Sequence, residues 1–206
     1  NQRTDGYGGP SIEDRARYPL AIAAAIRQAC GPDFLMSLRF SQFKEVDYDA
    51  RVFETPSDLE RFGQLAKAAG LTMLNVSSRR FARPEWPEQD PLLGIAGWVR
   101  KLTGLPVMTT GSIGLTKDIF SDLFDGEDPG LQIKTDLAEL MRRFDAGEFD
   151  LVGVGRMQIA NPDFVEKISE GRFDELRLYN KAVDLKHLIE KIVPGAVEEG
   201  RKTEAL

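Results

Sequence analysis

Two short stretches of the 206-residue sequence combine residue types that could hold an anion. Thr109–Gly114 (TTGSIG) ends an apolar run in a Gly-Ser turn, and Val152–Arg156 (VGVGR) ends another in Gly-Arg, with Asn161-Pro162 shortly after. Glycine lets backbone amides approach a phosphate closely, while a guanidinium and a helix N-terminus supply charge and dipole. Glycines also simply end strands, so either pair alone is a weak signal. Their recurrence at two consecutive strand ends is what gives them weight. Arg39, within SLRFS, is a third candidate. A guanidinium buried in an apolar strand is costly unless it meets an anion or an electron-rich ring. The sequence therefore points to a cation facing a ligand, with a structural ion pair at the strand end as the alternative.

These residues need a scaffold that brings strand ends together, and the pattern supplies one. Four brief apolar runs read as strands: Phe34–Ser41, Leu71–Ser77, Pro106–Thr110 and Leu151–Val154. Their composition predicts strands of a parallel sheet buried on both faces. Between them lie helical patterns. Thr55-Pro56 gives an N-cap and a first-turn proline, and Leu59, Phe62, Leu65 and Ala69 follow until Gly70. Gly94–Leu102 is a shorter helix, and Leu137, Leu140, Met141 and Phe144 form the apolar face of another, closed by Gly147. Asn161-Pro162 predicts a helix start, with Phe164, Val165 and Ile168 inward, and a last helix is expected over about Ala182–Ile192. In the first helical stretch, Ser11–Ala29, Pro19 predicts two pieces, because proline lacks the amide proton and clashes with the preceding turn.

A helix followed by four βα units is an α/β plan: either an open doubly wound sheet or part of a (β/α)₈ barrel. A complete barrel has eight strands and roughly 250 residues. If the chain is a second half-barrel, its last two strands are seven and eight, whose loops commonly form a phosphate site.

Composition narrows the function classes. Apolar residues at 42% and charged residues at 29% indicate a globular domain with a real core. A net charge of −6 argues against nucleic acid as the main partner, since phosphate-backbone binding wants a basic face. No apolar run approaches a membrane span. The single cysteine, Cys30, cannot form an internal disulfide, fits a reducing cytoplasm and is expected to be a small buried residue. His187, between Lys186 and Leu188, is expected to be a surface or packing residue, and the acidic turn Phe124–Gly130 has too few spaced ligands for a metal.

Together the motifs resemble a known family. N-x-R-T-D-x-Y-G-G at Asn1–Gly9 and S-I-E-D-R-A-R-Y at Ser11–Tyr18 are similar to the loop and helix after the fourth barrel strand of the old yellow enzyme family, FMN-dependent reductases on a (β/α)₈ barrel. The similarity continues in order through GPDFLMSLRFS, TTGSIG, FDLVGVGR and NPDFVEKISEGR. The resemblance implies a single partial domain holding strands five to eight. Residues 1–33 would be the loop and helix after strand four, 34–180 the four βα units, and 181–206 a C-terminal helix and tail.

It further implies an oxidoreductase that passes hydride from NADH or NADPH through FMN to a small electrophile, such as an alkene conjugated to a carbonyl or nitro group. Arg39 would lie beside the flavin pyrimidine. Gly111 and Ser112 on strand seven, and Gly155 and Arg156 on strand eight, would contact the FMN phosphate. The family's substrate-anchoring His/Asn or His/His pair, its proton-donating tyrosine and its strand-three glutamine lie upstream and have no counterpart in this sequence, so no catalytic residue is assigned. The partner implied is the missing N-terminal half-barrel, or a second copy.

Departures from the family pattern are Pro10, between the paired glycines and Ser11, and Asp14, in place of an asparagine. The long loop Ser77–Gly94 follows the second strand, where barrel loops form the active-site rim. Phe81 or Trp86 on it could line a pocket, or the loop could be a solvated Pro-rich excursion. Two rivals remain at this stage. A phosphate-recognising lyase or isomerase barrel would want an inward Lys, Asp or Glu at a strand end, which none of the four strands supplies; the other is a non-enzymatic half-barrel that only binds phosphate or self-associates.

Overall fold

In the computed structural model, residues 3, 5–44, 47–118 and 130–186 are described. The chain divides into two compact units, Asn1–Gly111 with Ala138–Gly153, and Ser112–Leu137 with Val154–Leu206.

The first unit opens on α1 (Ile12–Cys30), capped by Ser11, whose hydroxyl accepts the Asp14 amide at 3.1 Å. Contrary to the sequence expectation, α1 runs unbroken through Pro19. Proline inside a helix costs about 3 kcal/mol through one lost hydrogen bond and one clash. The buried stripe Ile12, Ala16, Leu20 and Ala23 continues on both sides of it, and that packing holds the helix together. Cys30, expected to be buried, is exposed, because it ends the helix two turns past the stripe.

Strand β1 (Ser37–Ser41) is followed by a hairpin the sequence pattern did not announce, β2 (Phe43–Lys44) with β3 (Asp47–Arg51). Helix α2 (Pro56–Ala68) begins at Thr55 with a reciprocal cap. The Thr55 hydroxyl accepts the Asp58 amide and the Asp58 carboxylate accepts the Thr55 amide. Then come β4 (Met73–Ser77), α3 (Ile95–Thr103), β5 (Val107–Thr110), α4 (Ile133–Asp145) and β6 (Leu151–Gly153). Helix α4 starts in the second unit and ends in the first.

Strands β1, β4, β5 and β6 form one parallel sheet in that order, as the βα repeat predicts. Burial alternates along β1, β4 and β5. Leu74, Val76, Val107 and Thr109 are buried on the face that α3 covers. Arg39, Asn75, Met108 and Leu151 share one register row on the other face, and Ser41, Ser77, Thr110 and Gly153 share the next. These residues are exposed or half-buried, so the expectation of strands covered on both faces does not hold for the described chain.

Two helix faces also differ from expectation. Leu140 is buried, but Met141 and Phe144 are about half exposed, because the face is only partly covered. In the second unit α5 (Arg156–Ala160) and α6 (Phe164–Ser169) follow β6. Phe164 is buried and Ile168 packs with it, while Val165, one residue round the helix, is 71% exposed rather than inward. That unit's core is Leu115, Ile133, Met157, Phe164 and Leu176. Of the helix expected over about Ala182–Ile192, the described residues show a π-helical turn, Lys181–Leu185, and 187–192 lie outside them. Among the described residues no helix is long and apolar enough to cross a membrane.

Candidate functional site

The second unit gathers three of the five predicted contacts. Ser112 adopts a left-handed backbone, φ 52°, uncommon for a residue with a side chain. It opens a turn in which its carbonyl accepts the Leu115 amide at 3.1 Å. Arg156 is the first residue of α5, and its Nη2 donates to the Lys117 carbonyl at 2.8 Å and to the Ser112 hydroxyl at 3.3 Å. A short helix the sequence did not announce thus begins directly after Gly155, ahead of α6, which starts at Phe164 just after Asn161-Pro162 as expected. An ideal Cβ on Gly155 would meet no atom of the described residues within 4 Å, so among them open space lies beside that backbone.

Asn161 has a different job. Its side chain is buried, donates to the carbonyls of Met157 and Arg177 at 3.0 Å each, and accepts the Arg177 amide at 3.1 Å. It ties the end of α5 to the segment around Arg177. A guanidinium, a hydroxyl and a glycine backbone bordering open space are the donor set that a phosphate requires, and the residues present fit that group.

Arg39 and Gly111 belong to the first unit. Arg39 is not buried in the strand. It stands exposed on the open face of the sheet, and its Nη2 donates to the Ser77 hydroxyl at 3.2 Å. The premise of a costly buried charge is therefore replaced by a cation available to whatever covers that face. Gly111 is a glycine for a local reason: an added Cβ would lie 2.7 Å from the Ser78 carbonyl oxygen and 2.9 Å from the Phe81 amide nitrogen. Its carbonyl accepts that Phe81 amide at 3.1 Å.

At its aromatic positions the loop after β4 is not a solvated excursion. Phe81 and Trp86 are buried and anchor it. The Trp86 indole donates to the Glu54 carbonyl at 3.0 Å and meets the Trp98 ring edge-on at 5.5 Å. Buried Gln42 donates to Glu85 at 2.8 Å and also binds both backbone groups of Phe53. Burial pushes the Glu85 carboxyl above its ordinary value, against the opposing effects of the Gln42 bond and Arg51. Arg143, from α4, donates to the Ala82 carbonyl at 2.9 Å and pairs with Glu148 at 2.8 Å. Period-based reading could not find Gln42, Glu85 or Arg143, since each acts through a partner distant in sequence. His187 and nearly all of the acidic turn Phe124–Gly130 lie outside the described residues.

A parallel sheet built from successive βα units defines an α/β protein. The model of the NADH:flavin oxidoreductase / NADH oxidase family matches residues 1–124. Over 186 residues, 86% of the chain, it is 33% identical to an NADH oxidase of Thermoanaerobacter brockii, covering 24% of that protein. It is 25% identical to a cinnamate reductase of Clostridium sporogenes, with 86% and 26% of the two chains covered. Among solved structures, morphinone reductase aligns with a TM-score of 0.54 at 25% identity, over 87% of this chain and 40% of that one. The chain belongs to the NADH:flavin oxidoreductase / NADH oxidase family, the family of the old yellow enzymes. It spans about a quarter of the length of these curated relatives.

Proposed function

We propose that this chain is the C-terminal half, strands five to eight, of a (β/α)₈ barrel that binds FMN and transfers hydride from NADH or NADPH to an activated electrophile. The observation that carries the proposal is the Arg156–Ser112 contact beside the open Gly155 backbone, on the segments that follow β5 and β6. Family membership sets the lyase and isomerase rival aside.

The residues divide the work. Arg156 supplies charge and directional donors to the phosphate, and Ser112 adds its hydroxyl and its left-handed backbone amide. Gly155 leaves room for the phosphate to approach; Gly111 contributes through its amide, while its missing side chain serves packing. FMN, when bound, supplies the hydride-accepting and hydride-donating ring. Arg39 on the open face is the cation that favours negative charge on the reduced pyrimidine. The groups that orient substrate and donate its proton come from strands one to four. Relatives named cinnamate reductase and morphinone reductase support an alkene conjugated to a carbonyl as the substrate class.

The two units are parts of one partial domain, completed by the N-terminal half-barrel. Leu151 and Val152, on the edge strand β6, are 48% and 40% exposed, which supports an occupant for that edge. A second copy of this chain is the alternative occupant. One cysteine, exposed and unpaired, agrees with a cytoplasmic location. The test is the absorbance spectrum of the purified full-length protein, with the flavin released and identified. Bound FMN is expected; a protein that neither retains nor rebinds FMN overturns the proposal.

A further inference from the structure

Asp136 is a buried carboxylate, 4% exposed, that no expected role explains. It lies in the first turn of α4, where the helix N-terminus favours negative charge. Its two oxygens face two different donors: Oδ2 accepts the Gly114 amide at 2.7 Å and Oδ1 accepts the Gln132 side-chain amide at 2.7 Å. The Gln132 backbone amide in turn donates to the Gly114 carbonyl at 2.9 Å. Both backbone groups of Gly114 are thereby bolted to the start of α4.

Gly114 sits at φ 81°, and a Cβ there would press on Ile133 and Met157 at 3.2 Å, so the turn requires glycine at this position. Two residues earlier the same turn carries Ser112 at its left-handed φ, with its hydroxyl against Arg156. All these contacts fall within the second unit.

We infer that Asp136 is the positioning residue of the phosphate site: by holding the Gly114 amide it fixes the Ser112–Leu115 turn and presents the Ser112 hydroxyl and amide, beside Arg156, to the FMN phosphate. This rests on the proposed FMN-binding function. A buried carboxylate is used where a neutral acceptor would serve because charge-assisted bonds to two amides are shorter and stiffer than neutral ones. Among the described residues the Asp136 carboxylate bonds to the Gly114 and Gln132 amides, so its effect on the ligand passes through the turn.

The test compares FMN with riboflavin, which has the same ring and no phosphate. Flavin-free full-length protein is titrated with each, following quenching of flavin fluorescence. Asp136→Ala is expected to weaken FMN about tenfold or more, the scale of one hydrogen bond to a charged group, and to leave riboflavin within about twofold. Gln132→Glu combined with Asp136→Asn exchanges donor for acceptor across the pair and is expected to recover most of the FMN preference. Equal losses for both ligands would make Asp136 merely structural and overturn the inference, as would an unchanged preference for FMN in Asp136→Ala. If Asp136→Ala does not fold, the double variant decides alone: a folded double variant without FMN preference overturns the inference. A wild-type protein that fails to bind FMN would instead overturn the proposed function, so the two failures are distinguishable.

Discussion

The Arg156 guanidinium lies 3.3 Å from the Ser112 hydroxyl, although 44 residues separate them in sequence. Arg156 begins the helix after β6 and Ser112 begins the turn after β5, so the contact joins two successive strand ends. Arg156→Ala is expected to weaken FMN by roughly ten- to a hundredfold, from the loss of about 1.5–3 kcal/mol of charge-assisted hydrogen bonding. Isothermal titration with FMN, set beside thermal unfolding of the flavin-free protein, separates lost binding from lost fold.

The two glycines proposed at the phosphate should behave differently. Gly111→Val forces a side chain into the Ser78 and Phe81 backbone and is expected to destabilise the protein by at least about 1–3 kcal/mol, the usual cost of overpacking. Gly155→Val meets no atom of the described residues and is expected to leave the unfolding midpoint nearly unchanged while lowering FMN affinity. Urea unfolding and FMN titration of both variants check this. A stable Gly111→Val would remove the packing explanation.

Arg39→Ala is expected to lower the flavin reduction potential, because a cation is withdrawn from beside a ring that gains negative charge on reduction. Its hydrogen bond among the described residues, to Ser77 on the exposed face, contributes little to stability, so the unfolding midpoint should hold. A redox titration of the variant showing an unshifted potential would contradict the assigned role.

Acid should act on the helix α4 ion pairs. Hydrogen bonds from Arg142, and then from Arg143, hold the Glu139 carboxyl at about 2, below its ordinary 4.5. Between these values the unfolded chain binds the proton and the folded one does not. Stability from this group is therefore complete above about pH 4.5 and is lost as pH falls towards about 2. Glu85 has the opposite sign: burial raises its carboxyl, so its contribution falls as pH rises above 4.5. Urea unfolding from pH 2 to 6 should show a shallower acid loss in Glu139→Gln than in wild type.

On the proposed half-barrel assignment, the chain alone is expected not to oxidise NADPH with cyclohexenone, even when it folds, because the substrate-orienting donors would belong to strands one to four. Positioning can supply as much as about 7–11 kcal/mol of a barrier. Co-expression with a fragment containing those strands should restore turnover. Full activity from the chain alone would show that the orienting donors lie within it.

Much of the architecture is local physics and was legible in the sequence. The four apolar runs, the Thr55-Pro56 cap and the stop at Gly70 specify βα units, because strand and cap preferences depend on near neighbours. The ordered motifs from Asn1 to Arg172 carried the family, and with it the five candidate contacts. Tertiary structure decided what those residues actually meet. Pro19 stays in its helix because packing on both sides outweighs one lost bond. Arg39 is exposed, and Gly111 is confined by the Ser78 and Phe81 backbone, because both depend on neighbouring strands. Asp136 shows the limit most sharply. An aspartate in a first helical turn is ordinary in sequence, and only folding brings Gly114, 22 residues away, within 2.7 Å of its carboxylate.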